Sequence, residues 1–524
     1  MRPINRALGL VSRRAERSTG TQLLASFVDV GEISSSMMGS DHQVMYGRRG
    51  TGKTHVLSIL SENAMRNGAV PAQIDLRTLG STGGIYADYN IPLAERATRL
   101  LSDLLWAVHD GIMERALEDE SLDLAAIEVR LDLLREAISE VRVIGQVTTV
   151  EGLESTESRG SAANVGLNIS TAPGVSAGLA DRSSEAISRT ASQSITGDSR
   201  HRIHFGSVAR HLADLSAALS GKRVWLLLDE WSEIPLDLQP YLADLLRRAV
   251  FPVQNITVKI AAIEQRTNFR VSASEGGYIG IEIGADGSPS LTLDDFMVFD
   301  NDASAATSFF RTLLWKHTTA IDPNDSIASY SEAEFTAEGF TQINALQELA
   351  RAAEGVPRDA INVAALAARL AGDRKISVAD VRAAARQWYQ QSKEAAVSSR
   401  PNALELLQWI REQVIAGRKA RAFLLPTNIK NDLIDYLYDS RVLHVIKKSV
   451  SSNENPGVRY NVYAIDYGCY VDLISTANAP QGLFAVDAED GNGIHFVEVP
   501  NTDYRSIRRA ILDIREFEIN QERF

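Results

Sequence analysis

Residues 47–54 read "GRRGTGKT", which places Gly47, Gly52, Lys53 and Thr54 at the intervals G-x-x-x-x-G-K-[ST]. Those residue types at that spacing suit a loop that wraps a chain of phosphates. The glycines let backbone N–H groups turn inward, the lysine reaches the outer phosphate oxygens, and the threonine offers its hydroxyl to Mg²⁺. The whole stretch Gly47, Arg48, Arg49, Gly50, Thr51, Gly52, Lys53, Thr54 and His55 is therefore the candidate nucleotide contact, with ATP and Mg²⁺ as its ligands.

A second cluster supplies carboxylates. "KRVWLLLDEWSEIP" carries an unbroken apolar run from Val224 to Leu228 and then Asp229 and Glu230. Such a run fits a parallel strand buried on both faces, and ligands gather at the carboxyl ends of such strands. Asp229 is the candidate second ligand of Mg²⁺ beside Thr54. Glu230 is the candidate base that polarises a water toward the outermost phosphate.

These groups need elements to position them. "HQVMY" (His42–Tyr46) reads as a short strand entering the loop, and "THVLSILSENAMRNG" has helical spacing at Val56, Leu57, Ile59 and Leu60. The loop would thus lie between a strand and a helix N-terminus, whose dipole favours an anion. "NITVKIAAI" (Asn255–Ile263) is a further strand, and "AQIDL", ending near Asp75, another. "ALQELARAAEGVPRDAINVAALAARLAG" reads as two helices broken at Gly355–Pro357, with "KISVADVRAAARQWYQQSK" as a third. Arg358 opens the middle helix, where it can fold back toward the phosphates.

The 524 residues exceed one core and imply several domains. With 44% hydrophobic and 23% charged residues the composition is that of a globular protein. No apolar run approaches a membrane span, and the basic start "MRPINRALGLVSRRAERSTG" lacks the apolar stretch of a secretory signal, so a cytoplasmic protein without a stable membrane anchor is expected. A single cysteine, Cys469, excludes a disulfide framework and a cysteine zinc site. The net charge of −13 argues against wholesale binding to nucleic acid and leaves room for a local basic face.

Residues 400–460 carry such a surplus, with 10 Lys/Arg against 6 Asp/Glu. Their order is helix, short strand, helix, then a hairpin in which "LHVIKKSV" and "VRYNVYAID" flank the turn "SSNENPG". Helices followed by a β-wing describe a winged helix. Its candidate contacts to the backbone of double-stranded DNA are Arg418, Lys419, Arg421, Lys447, Lys448 and Arg459. A module of this kind also serves as a protein-docking surface.

Residues 151–200 differ from their surroundings, because Ser, Gly, Ala and Thr fill 28 of the 50 positions and no aromatic occurs. That composition builds no core of its own. Apolar residues nevertheless alternate at Val165, Leu167, Ile169, Val175, Ala177 and Leu179, and at Val141, Val143 and Val147 before them, which predicts a long β-hairpin arm. Its few cations, among them Arg159, Arg182 and Arg189, argue against strong phosphate contact. A surface loop and a membrane-inserting hairpin are the other readings.

Loop, Asp-Glu strand, further strand, helical lid with G-x-P-R and basic tail, in this order, resemble AAA+ ATPases of the initiator type. These are the origin-recognition-complex (ORC) proteins and their bacterial ORC-like relatives. The resemblance runs over roughly residues 20 to 480 and implies an α/β fold: a P-loop AAA+ domain with a parallel central sheet, a helical lid, a C-terminal winged helix and the inserted arm. It divides the chain into a basic helical lead-in (1–40), the ATPase core (41–300, insert about 141–206), the lid (301–395), the winged helix (400–480) and a C-terminal extension (481–524). It implies Mg-dependent ATP hydrolysis and a homo-oligomer that forms on nucleotide.

The resemblance also assigns Arg358 as the lid sensor, Gln265 or Thr267 as a sensor at a strand tip, and Arg247 or Arg248 as a finger to a neighbouring subunit. It makes Asp75 a restraint on Glu230. The stretch 276–300, "GGYIGIEIGADGSPSLTLDDFMVFD", is longer than the family pattern leads one to expect. A signalling ATPase of the STAND type shares the domain order, and so does an ATPase partner of a separate effector, as in bacterial defence. For the former, the roughly 45 residues after Ser475 hold no repeat-built sensor.

Overall fold

The computed structural model describes residues 1–12, 18–29, 33–79, 86–139, 141–153, 189–201, 203–272, 277–296, 303–321, 326–417, 420–451, 457–473, 483–487, 494–498 and 511–521. Its centre is a five-stranded sheet. The strands are β1 (Gln43–Tyr46), β2 (Val70–Asp75), β5 (Val224–Asp229), β6 (Ile256–Ala262) and β9 (Leu291–Thr292), in the order β2-β5-β6-β1-β9, all parallel. Every residue of β5 and β6 is buried, as the apolar run in β5 predicts.

Alternation along β5 sorts its side chains between two cores. Trp225 and Leu227 pack with Val56, Leu57 and Leu60 of the helix Lys53–Arg66 on one face. Val224, Leu226 and Leu228 pack on the other face against the helices Leu93–Glu118, Leu124–Ile138 and Phe205–Ala218. Burial on both faces fixes the strand register, and with it the position of everything at the carboxyl edge.

Residues 277–296, the described part of the long stretch 276–300, add strands to the fold. Tyr278–Gly280 (β8) pairs antiparallel with Arg270–Ser272 (β7), and β9 then adds the edge strand beside β1. The arm begins as a two-stranded ribbon, Val141–Leu153 (β3) with Arg189–His201 (β4), in continuous antiparallel register. Arg189 opens β4, whereas the predicted alternation from Val165 to Leu179, with Arg159 and Arg182, lies outside the described residues.

The lid consists of the helices Ala303–Thr319, Ile343–Ala353, Pro357–Ala371 and Val378–Trp388. Its core is continuous with that of the C-terminal unit: Leu349, Val363 and Val381 belong to the same buried cluster as Leu406, Phe423 and Leu437. That unit runs helix Pro401–Ile410, β10 (Ala422–Pro426), helix Asp432–Asp439, β11 (Leu443–Ser451) and β12 (Arg459–Ile465), with sheet order β10-β12-β11. The order agrees with the helix, strand, helix and hairpin read from the sequence. Downstream, Leu483–Asp487 (β13) pairs with Ile494–Glu498 (β14), and Ile511 bridges to Leu424 of β10. Among the described residues no helix is long and apolar enough to cross a membrane.

Candidate functional site

At the carboxyl edge of the sheet the phosphate loop closes around a cavity of about 430 Å³. Arg49, Gly50, Thr51, Gly52, Lys53, Thr54 and His55 line it from the loop, Glu230, Glu233 and Arg77 from the strand ends, and Pro357 and Arg358 from the lid. The rest of its lining is largely apolar, with Leu23, Phe27, Phe309, Leu313 and Ile361 besides His55 and His317, and includes Ser12, Ser18 and Asp29. Volume and lining chemistry suit a nucleotide, with Lys53 for the phosphates and aromatic side chains for a base.

The loop's conformation explains its glycines. Gly50 and Gly52 have φ of +89° and +96°, where a side chain is strained. At Gly50 a Cβ would also lie 2.8 Å from Cβ of Arg358, because the lid turn packs directly on the loop. The Arg358 N–H donates to the Gly50 carbonyl at 3.1 Å, so the lid sensor candidate is tied to the phosphate loop by its backbone.

Lys53 is buried, and its Nζ donates to the carbonyls of Gly47 (2.9 Å) and Arg48 (3.1 Å). Burial lowers its pKa, while Glu230, Asp229 and Asp294 act the other way. The Thr54 hydroxyl lies close enough to the Asp229 carboxylate to stabilise its charge. These two hard oxygen donors, side by side at a triphosphate site, fit Mg²⁺, which takes few protein oxygens and keeps several waters. Burial raises the pKa of Asp229, opposed chiefly by Thr54.

Glu230 stands in the left-handed region, φ 55° and ψ 39°, with its N–H on Oδ1 of Asp229 at 2.8 Å. Strain of this kind is held only where the surroundings over-determine it, and here the Glu230 side chain lines the cavity. Desolvation raises the Glu230 pKa, with Lys53 opposing, which moves the carboxylate in the direction a general base requires.

Several expectations are corrected by this geometry. Asp75 does not reach Glu230. Its carboxylate is gripped by Arg77, with Nη2 to Oδ2 at 2.6 Å, and it is Arg77 Nη1 that lies 3.7 Å from Glu230 Oε1. The side chain of Arg48 faces away from the cavity and is 1% exposed. Its Nε donates to Asp294 at 2.7 Å, Nη2 to the Glu354 carbonyl at 2.9 Å, and Nη1 to His444 of β11. Gly47 likewise forms the rear of the loop, where a Cβ would meet the Thr51 hydroxyl at 2.5 Å.

Gln265 sits in the short turn Glu264–Arg266 outside the cavity lining, with Oε1 buried. Thr267 donates to the Ile263 carbonyl at 2.6 Å, and Ser232, which the sequence reading passed over, accepts from the Ile263 N–H at 2.7 Å. Ser232 and Thr267 therefore fasten the Asp-Glu turn to the neighbouring strand. Arg247 and Arg248 lie on the last turn after the helix Gln239–Leu245, both paired with Asp244 at 2.9 and 2.8 Å, and do not line this cavity.

Of the proposed DNA contacts, Arg418 and Lys419 lie outside the described residues. Lys447 is exposed at an irregularity in the β11–β12 register, and Arg459 donates to the Ser449 carbonyl at 3.2 Å. Arg421 is partly buried at the entry to β10. Lys448 is exposed and forms an ion pair with Glu264, just beyond the tip of β6.

A parallel α/β sheet with a phosphate loop, an acid pair at the adjacent strand end and a helical lid defines a P-loop ATPase fold of the AAA+ type. The sequence model of the family described as ORC-CDC6-like matches residues 10–279, a stretch that contains both the loop and the acid pair. The chain belongs to this ORC-CDC6-like family. No curated protein matches. Solved structures similar to this chain include Cdc6p from Pyrobaculum aerophilum (13% identity, 88% of this chain and 94% of that one, TM-score 0.29). The Orc1 protein of Aeropyrum pernix in complex with DNA is another (15% identity, 87% of this chain and 90% of that one, TM-score 0.28). Superpositions this loose transfer no property to the present chain.

Proposed function

We propose that the protein is a Mg-dependent ATPase that uses nucleotide binding to control contact with double-stranded DNA. One observation carries the ATPase half: Lys53, Thr54, Glu230 and Arg358, drawn from three separated stretches of sequence, line one cavity, with Asp229 adjacent to Glu230 at the strand end. Lys53 and Arg358 neutralise phosphate charge from the loop and the lid. Glu230 accepts the proton of the attacking water. Thr54 and Asp229 would hold Mg²⁺, whose positive charge would offset that of the phosphates.

The DNA half rests on the family and on the C-terminal helix–strand–helix–hairpin unit, with Lys447 exposed at its wing and Arg459 on the return strand. Arg247 and Arg248 are the groups that would reach a neighbouring copy on oligomerisation. A second reading is supported by the Lys448–Glu264 pair: the C-terminal unit serves as a docking module within the protein or toward an effector. The test is hydrolysis and duplex-DNA binding by the intact chain and by Lys53→Ala, Glu230→Gln and Lys447→Ala/Arg459→Ala. The proposal requires ATP turnover lost in the first two, and binding weakened across all sequences with a flatter salt dependence in the last.

A further inference from the structure

The C-terminal unit shares a continuous apolar core with the lid, yet most of what joins it to the sheet domain is charged. Asp439, the last residue of the helix Asp432–Asp439, lies 3.1 Å from Arg266 Nη1 and 3.6 Å from Arg49 Nε. Lys448 pairs with Glu264, and Arg48 bonds His444. An aspartate at a helix C-terminus is disfavoured by the helix dipole, so its place here depends on those two arginines. The Arg49 contact is also the weaker one. It is longer than a hydrogen bond, and Asp439 Oδ1 is buried with no hydrogen-bond partner.

Arg49 has another direction to turn. It lines the nucleotide cavity and already donates to Glu233 at 2.7 Å, with 43% of its side chain exposed. A triphosphate is a stronger acceptor for a guanidinium than a lone carboxylate at 3.6 Å.

The lid and the C-terminal unit, moreover, are joined by a chain of buried ionic contacts. Asp359, next to Arg358 in the lid, is buried against Lys393 at 3.0 Å, and Lys393 in turn bonds Asp466, which bonds His444 at 3.0 Å.

Resting on the ATPase reading above, we infer that Asp439 is a latch holding the C-terminal unit against the sheet domain, and that phosphate releases it by drawing Arg49 into the cavity. With the latch closed, Lys448 is engaged by Glu264. With it open, Lys448 is freed to join the exposed Lys447 and Arg459 on a polyanion such as duplex DNA.

The experiment uses the full chain with Asp439→Asn, which removes the charge and keeps the shape, and Arg266→Gln, which breaks the same contact from the opposite side. Two quantities are read without nucleotide: amide hydrogen exchange across residues 432–451, and affinity for a labelled mixed-sequence duplex at fixed salt. Both variants are expected to exchange faster and to bind the duplex about tenfold more tightly than the parent, the scale of a pair of half-exposed ion pairs. A non-hydrolysable ATP analogue with Mg²⁺ is expected to bring the parent to the same state.

Unchanged exchange in both folded variants, or analogue binding in calorimetry with no change at residues 432–451, overturns the latch and leaves the ATPase reading standing. Faster exchange without tighter duplex binding overturns DNA as the occupant. Absence of analogue binding to the parent overturns the ATPase reading and phosphate as the release signal together.

Discussion

Arg48 of the phosphate loop and His444 of β11 are hydrogen-bonded in the interior of the protein, although 396 positions separate them. The arginine only donates, so Nδ1 of His444 accepts, and Nε2–H donates to Asp466 Oδ2 at 3.0 Å. The ring is therefore neutral and in a single tautomer. A nucleotide-binding loop and the C-terminal sheet thus share one buried polar contact.

That contact makes the fold sensitive to acid. Burial pushes the pKa of His444 down from its ordinary 6.5 to about 4, with the hydrogen bond to Asp466 opposing and Arg48 adding to the fall. The unfolded ring takes up a proton that the folded ring refuses, so stability is present above pH 6.5 and is lost progressively as pH falls toward 4. Thermal melting of the parent should drop across that window more steeply than melting of His444→Gln; parallel curves would refute the assignment.

Glu230→Gln keeps the size of the side chain and removes its basicity. Nucleotide affinity should stay within about twofold while turnover falls by about 10² or more. Single-turnover hydrolysis measured beside equilibrium binding separates the two quantities.

Arg77 holds Asp75 with one edge of its guanidinium and faces Glu230 with the other. Replacing it with Gln is expected to lower kcat about tenfold by loosening the carboxylate's position, with KM nearly unchanged. Loss of nucleotide binding in this variant would show that Arg77 contacts phosphate instead.

Gly50→Ala places a methyl group at φ +89° and against Cβ of Arg358. The strain of the left-handed conformation alone is worth about 1–2 kcal/mol, and the clash pushes the lid off the loop. Weaker nucleotide binding with a lowered Tm is expected. An unaltered Kd would mean that lid and loop do not act together.

Replacing residues 141–201 with a short Gly-Ser link should leave Tm and ATP binding nearly unchanged, because among the described residues β3 and β4 pair only with each other. Circular dichroism melts and calorimetry check this. A large drop in Tm would show that the ribbon supports the core.

The parts legible in the sequence are those where chemistry constrains local conformation. Gly50 and Gly52 announce a loop needing positive φ, Val224–Leu228 announces a strand buried on both faces, and Gly355–Pro357 marks the helix break that delivers Arg358. Contacts set by tertiary placement left no such trace. Arg48 looked like another loop cation, because nothing nearby in sequence reveals that Asp294 and His444 surround its guanidinium. Asp75 was assigned the restraint on Glu230 because strand-end position is readable, whereas the reach of Arg77 two residues later is not. Lys448 looked like an open wing cation because the partner that claims it, Glu264, lies 184 positions away.

The most direct test of the account is isothermal titration of ATP with Mg²⁺ into the intact protein and into Lys53→Ala. Uptake of about one nucleotide per chain by the parent, lost on substitution of Lys53, is the result expected of a phosphate loop built in this way. No uptake by the parent, or equal uptake by both, would contradict it.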